Sequence, residues 1–185
     1  SSMSQTSEIK IALIGCGTVG SGVVRILQSS ADQLTRRAGR RPVLKHVVVK
    51  NPNRQRDVSL DGYQVSSSID AVVNDPKVQV AVHVVGGIQP ALDDVTRLLK
   101  AGKDVITANK ALLYAHGEEL FALAGELNRT ICFEAAVAGG IPIISAVNTA
   151  LTANEILSIE GILNGTSNFI LTRMYDRRQT YEEVL

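Results

Sequence analysis

Charge of one sign is what this sequence lacks most: 19 Lys and Arg stand against 18 Asp and Glu, a net charge of +1. So balanced a chain has no general electrostatic pull toward nucleic acid or an anionic membrane, and neither is expected as a partner. The basic cluster Arg36, Arg37, Arg40 and Arg41 reads as a solvated helix C-terminus, where cations suit the dipole. Cysteine is scarce too. Cys16 and Cys132 lie in apolar, strand-like or strand-edge sequence without metal-ligand spacing. That excludes a disulfide framework and predicts buried thiols in a reducing, cytoplasmic compartment. No apolar run is long enough to span a bilayer, and no signal-peptide apolar core opens the chain. Internal repeats and low-complexity segments are also missing. What is present, 45% hydrophobic residues in a chain of 185, suffices for one full core and part of a second.

The apolar residues are arranged as alternating strands and helices. Residues 9–14 form a continuous apolar run followed at once by glycines, the pattern of a buried parallel strand entering a turn. Val19, Val23, Ile26, Leu27 and Leu34 then recur at helical spacing over 18–36, until Gly39 and Pro42 break the pattern. Val43–Val49 reads as a second strand, and 50–61 as a polar loop with Pro52 and Asn53 as turn-formers. A short helix at 70–73, a strand at 78–85, a helix at 90–101 stopped by Gly102 and a strand at 104–107 follow. A helix at 116–127 and a strand at 131–134 complete the series. This alternation predicts a doubly wound α/β domain around a parallel sheet, over residues 8–136.

From Gly139 the texture changes. A glycine-rich turn leads into a helix, a long strand is expected over 155–163, and NGTSNFILTRM follows as a loop and a helix. Residues 137–185 therefore read as the opening of a second, α+β domain. Thr180-Tyr181-Glu182-Glu183 has the capping-box pattern that announces a helix. Only a few residues of that helix are in the sequence, so a piece of a longer protein is expected.

Gly15-Cys16-Gly17-Thr18-Val19-Gly20 is G-x-G-x-x-G set between a strand and a helix. Gly15 would permit the tight turn, Gly17 the approach of a pyrophosphate, and Gly20 close packing of helix on strand. Thr18 and Val19 open the helix, whose free amides and positive dipole end suit phosphates. The expected ligand is a dinucleotide. A merely tight turn is the alternative. The second strand ends Val49-Lys50-Asn51 without the carboxylate that usually holds the ribose hydroxyls of NAD. Lys50, Arg54 and the nearby Arg56 favour the 2′-phosphate of NADP, unless they are simply loop charges in water.

Three further segments narrow the reading: TANKALL at 107–113, FEAAVAGGIPII at 133–144 and GILNGTSNFILTRM at 161–174. With IALIGCGTVGSGVV at 11–24, they closely resemble the homoserine dehydrogenase family in order and spacing, from about Ile9 to the end of the chain. The resemblance implies a Rossmann-type domain followed by the start of the catalytic and dimerisation domain. It implies reduction of L-aspartate 4-semialdehyde to L-homoserine with NADPH or NADH, in the biosynthesis of threonine, methionine and isoleucine. It also implies a homodimer.

By the same resemblance Lys110, with Thr107 and Ala108, lies at the nicotinamide and near the substrate. Without the family, a lysine after a strand is more often a solvent-facing charge. Gly86 and Gly87 would let a cofactor ribose approach, with a plain tight turn as the competing reading. Asn164, Gly165 and Thr166 would line the pocket between cofactor and substrate, or form only a turn and a helix cap. Glu134, Val137, Gly139 and Ile141 resemble the family's monovalent-cation site, with sodium as the expected ion and mainly carbonyl oxygens as ligands.

His83 stands where relatives commonly carry an acidic residue, and its apolar surroundings predict a buried, hydrogen-bonded histidine. The family's acidic substrate-binding residue, an aspartate and the proton-donating lysine come later than Leu185, so cofactor binding with little or no turnover is expected. Two other readings stand beside this one: a non-catalytic dinucleotide-binding module, and a reductase of another small semialdehyde. An acyl-enzyme mechanism needs an exposed thiolate, and the sequence offers none.

Overall fold

Strand β1 (Glu8–Ile14) is the centre of the fold, and its sequence shows why: Ile9, Ile11, Ala12 and Leu13 are wholly buried. Successive side chains of a strand point to opposite faces. Ile9, Ile11 and Leu13 thus join one core, and Ala12 and Ile14 the other. The computed structural model describes residues 8–29, 32, 36, 40–134 and 171–173.

After β1 come α1 (Thr18–Ser29), β2 (Arg41–Val48), β3 (Gln64–Ser66), α2 (Asp70–Val73) and β4 (Val78–His83). Then follow α3 (Gln89–Lys100), β5 (Asp104–Thr107), α4 (Lys110–Glu126), β6 (Ile131–Glu134) and β7 (Leu171–Arg173). The sheet runs β3-β2-β1-β4-β5-β6-β7. Every pairing from β3 to β6 is parallel, and β7 joins β6 antiparallel. This is the doubly wound, Rossmann-type sheet, with the strand order reversing at β1.

The first core gathers Val23, Val24 and Leu27 of α1 with Leu44, Val47, Val80, Val82 and Ile106. On the opposite face, Ala91, Val95, Leu98 and Leu99 of α3 and Leu112, Leu113 and Leu120 of α4 pack on Ala12, Ala81 and Val105. A continuous apolar strand is needed only where both faces are covered, as here.

Several boundaries differ from the sequence expectation. β2 begins at Arg41 and takes in Pro42, which a strand tolerates near its start. β3 was not expected, being a short edge strand with a single apolar residue, Val65. β4 ends at His83, so Val84 and Val85 belong to the loop that follows. α4 starts at Lys110 rather than 116, because Asn109 caps it. Leu171–Arg173, expected to be helical, instead forms a strand that continues the sheet past β6. The ladder satisfies backbone groups that β6 would otherwise leave on an edge. The expected strand at 155–163, the turn and helix after Gly139 and the final helix lie outside the described residues.

Candidate cofactor site

Parallel strands deliver all their C-terminal ends to one rim. Ile14 is level with Val48 and His83, His83 with Thr107, and Thr107 with Phe133. The rim therefore collects, side by side, the Gly15–Gly20 loop, Lys50, the Val84–Gly87 segment, Ala108–Lys110 and the backbone of Glu134. Ligands of open α/β sheets bind in the crevice outside these ends, at the point where strand order reverses.

The three glycines of the loop differ as their spacing predicts. Gly15 has φ +94°, and a Cβ there would stand 2.9 Å from the Val85 side chain and 3.2 Å from the Val84 carbonyl. Its N–H donates to Val48 O at 2.8 Å, tying the loop across β1 to β2. Gly20 is buried, and a Cβ there would collide with the carbonyl of Gly15. Gly17 is exposed, and a Cβ there would meet nothing within 4 Å. Tight turn and close packing thus account for Gly15 and Gly20. Gly17 faces open crevice at the N-terminus of α1, where Thr18 and Val19 bring unpaired helix amides. The residues present fit the pyrophosphate of a dinucleotide.

On the far side of β1, Gly86 and Gly87 are exposed with open space where side chains would be, and Gly87 has φ +91°. Thr107 is buried, Ala108 and Lys110 are exposed, and Lys110 Nζ lies 5.6 Å from the centre of the Tyr114 ring. Lys110 is the first residue of α4 rather than part of a loop. Asn109 between them is a residue that the motif reading passed over. It is 8% exposed, and its Oδ1 accepts the Leu112 N–H at 3.0 Å as the cap of α4. An Asn directly before a helical pattern is the signal that could have found it.

At the β2 end, Lys50 and Arg54 are exposed. Arg56 is held: its guanidinium donates to Asn51 O at 2.8 Å and Arg54 O at 2.9 Å, closing the turn that carries Arg54. Cys16 is half-buried, not buried as expected, because it lies in the glycine loop beyond the strand; its sulfur is 3.8 Å from Ser21 Oγ. Cys132 is buried in the first core. His83 is buried as expected, its Nε2 3.0 Å from Asp94 Oδ2. Its Nδ1 has no hydrogen-bond partner.

Asn164, Gly165, Thr166, Val137, Gly139 and Ile141 lie outside the described residues, and of Glu134 only the backbone, at the end of β6, is described. Among the described residues no cluster of three or more His, Cys, Asp or Glu could hold a metal ion. No helix among them is long and apolar enough to cross a membrane.

Fold and crevice together define a nicotinamide-dinucleotide-binding α/β domain. The homoserine dehydrogenase NAD-binding domain model matches residues 15–134, and the homoserine dehydrogenase model matches 142–185. The chain belongs to the homoserine dehydrogenase family. It is 42% identical over 177 residues to the homoserine dehydrogenase of Bacillus subtilis, covering 96% of this chain and 41% of that protein. The Pseudomonas aeruginosa enzyme is 40% identical, with 96% and 40% covered. A crystal structure of S. aureus homoserine dehydrogenase at pH 7.5 superposes with TM-score 0.67 at 38% identity, over 74% of this chain and 34% of that one. GenD2 from gentamicin A biosynthesis, solved with NAD, is 20% identical with TM-score 0.58 over 70% of this chain and 35% of its own, and shares the fold alone. The chain thus spans about two-fifths of the length of the relatives it matches.

Proposed function

We propose that this chain supplies the coenzyme-binding part of an NAD(P)-dependent oxidoreductase that interconverts L-homoserine and L-aspartate 4-semialdehyde. The observation that carries the reading is the rim. An open Gly17 at a helix N-terminus stands beside Gly86, Gly87 and Lys110 on neighbouring strand ends, in a chain of this family.

The nicotinamide, when bound, supplies the hydride chemistry. Gly17 and the first amides of α1 hold the pyrophosphate. Lys50 and Arg54, unopposed by any carboxylate at the end of β2, favour the 2′-phosphate and therefore NADPH. Gly86 and Gly87 give room to the second ribose. Lys110, the first residue of α4, belongs on the strength of the family at the reacting end, with Thr107 and Ala108 beside it. The pocket loop Asn164-Gly165-Thr166 and a sodium site at Glu134, Val137, Gly139 and Ile141 belong to the same proposal on the strength of the family. So do the division at residues 136 and 137, a cytoplasmic homodimer, and a role in threonine, methionine and isoleucine biosynthesis.

Calorimetric titration with NADPH and, separately, NADH tests the reading. Binding of both, tighter for NADPH, is expected; no heat from either would leave the crevice without its ligand and overturn it.

A further inference from the structure

Asn109 makes a set of contacts that capping alone does not require. While its Oδ1 caps α4, its Nδ2 donates to two carbonyls of the β4 loop, Val85 O at 3.2 Å and Gly87 O. Its own N–H donates to Thr107 Oγ1 at 3.1 Å, and the N–H of Ala108 beside it donates to His83 O at 3.3 Å. Both donors of the amide are thus spent on a segment 22 and 24 residues away in sequence.

The segment so held has few other reasons to keep its shape. Gly86 and Gly87 have no side chains and are exposed, and Gly87 sits in the left-handed region at φ +91°. That conformation is open to glycine at little cost, but nothing in glycine itself selects it. The Nδ2 contact aims the Gly87 carbonyl inward and fixes the loop against the first turn of α4, where Lys110 begins. On its other flank the same segment abuts the glycine loop, since Val84 O and the Val85 side chain line the space beside Gly15.

We propose that Asn109 is a positioning residue for the nicotinamide half of the coenzyme. It sets the spacing between the Gly86–Gly87 backbone and Lys110, and so the width of the crevice where the second ribose and the nicotinamide lie. The inference rests on the coenzyme reading above. It makes a one-sided claim, because the adenosine half lies toward β2, on the opposite side of β1 from Asn109.

Asn109→Ser separates the two roles. A serine still caps a helix, but it is too short to reach the Val85 and Gly87 carbonyls. The full chain and the variant are titrated with the tighter-binding of NADPH and NADH and with ADP, which carries only the adenosine and pyrophosphate. Two lost hydrogen bonds should weaken the reduced dinucleotide about tenfold, with ADP binding unchanged. Asn109→Asp is the second variant. It keeps the cap acceptor but turns a carboxylate oxygen on two carbonyls, so the same selective loss, larger, is expected even if the serine variant does not fold. Equal dinucleotide affinity in folded variants, or equal weakening of dinucleotide and ADP, overturns the role. Binding of neither ligand by the unsubstituted chain sinks the coenzyme reading, and the Asn109 role with it.

Discussion

The carbonyl oxygen of Gly15 occupies the space that a side chain on Gly20 would need, whereas the corresponding space at Gly17 is open. Packing therefore requires Gly20, whereas nothing in the fold itself requires Gly17, whose proposed role is to admit a pyrophosphate. Gly20→Ala drives a methyl into backbone that cannot yield cheaply, and about 1–3 kcal/mol of stability should be lost, as in other overpacked sites. Gly17→Ala should cost no more than about 1 kcal/mol, the difference between Gly and Ala as a helix cap, yet remove most dinucleotide affinity. Thermal melts alongside calorimetry check both, and the expectation fails if Gly17→Ala binds as the parent does.

Coenzyme preference should follow the β2 end. Arg54 is presented by a turn that Arg56 closes, and Lys50 is exposed beside it. Replacing Lys50 and Arg54 together by Ala should weaken NADPH roughly tenfold or more and leave NADH nearly unchanged. The NADPH preference should also shrink as salt is raised. Parallel losses for the two coenzymes would show that these cations do not read the 2′-phosphate.

At the opposite end of the sheet, Asp75 accepts from His46 Nε2 at 2.8 Å and from Lys45 Nζ at 2.5 Å. The Lys45 ammonium and then the His46 ring, with help from the Lys77 N–H, hold its carboxyl far below the ordinary aspartate value of 3.8. Because the folded pKa lies below the unfolded one, the stabilisation is present above about pH 4 and drains away as pH falls toward the folded value. Asp75→Asn should cost ~1 kcal/mol at pH 7, allowing for solvent screening at this partly exposed group. The gap between variant and parent should narrow in denaturant melts below pH 4. A gap that widens on acidification would refute the assignment.

His83 offers a test inside the core. It has 0% exposure, and Asp94 is the partner of its Nε2. Asp94→Ala strands that nitrogen next to an Nδ1 already without a partner, and about 1–3 kcal/mol should be lost. His83 sits at the end of β4, just before the loop that Asn109 holds, so coenzyme affinity should fall too. Unchanged melting would show that the Asp94 contact is dispensable.

How much of this was legible beforehand depended on how far apart the deciding residues lie. The strands β1, β2, β4, β5 and β6 announce themselves because each carries a cluster of apolar residues between turn-formers or helices, and Gly15, Gly17 and Gly20 because strand, turn and helix are contiguous. β3 escaped notice since its three residues owe their conformation to pairing with His46, Val47 and Val48. Leu171–Arg173 escaped it for the same reason, as its partners are Cys132, Phe133 and Glu134. The start of α4 at Lys110 rather than 116 is hidden because Asn109, the cap that sets it, also lies inside the TANKALL motif. The double hold of Asn109 on Val85 and Gly87 joins loops that no local pattern connects.

The order of strands has a consequence for change over time. The loop after β2 and the loops after β4 and β5 stand on opposite sides of β1 and share no hydrogen bond among those described. On the proposed reading, in which Lys50 and Arg54 choose the coenzyme, selection can exchange one coenzyme for another there without disturbing the spacing around Lys110. The two traits, electron carrier and reaction geometry, are free to diverge independently on one scaffold.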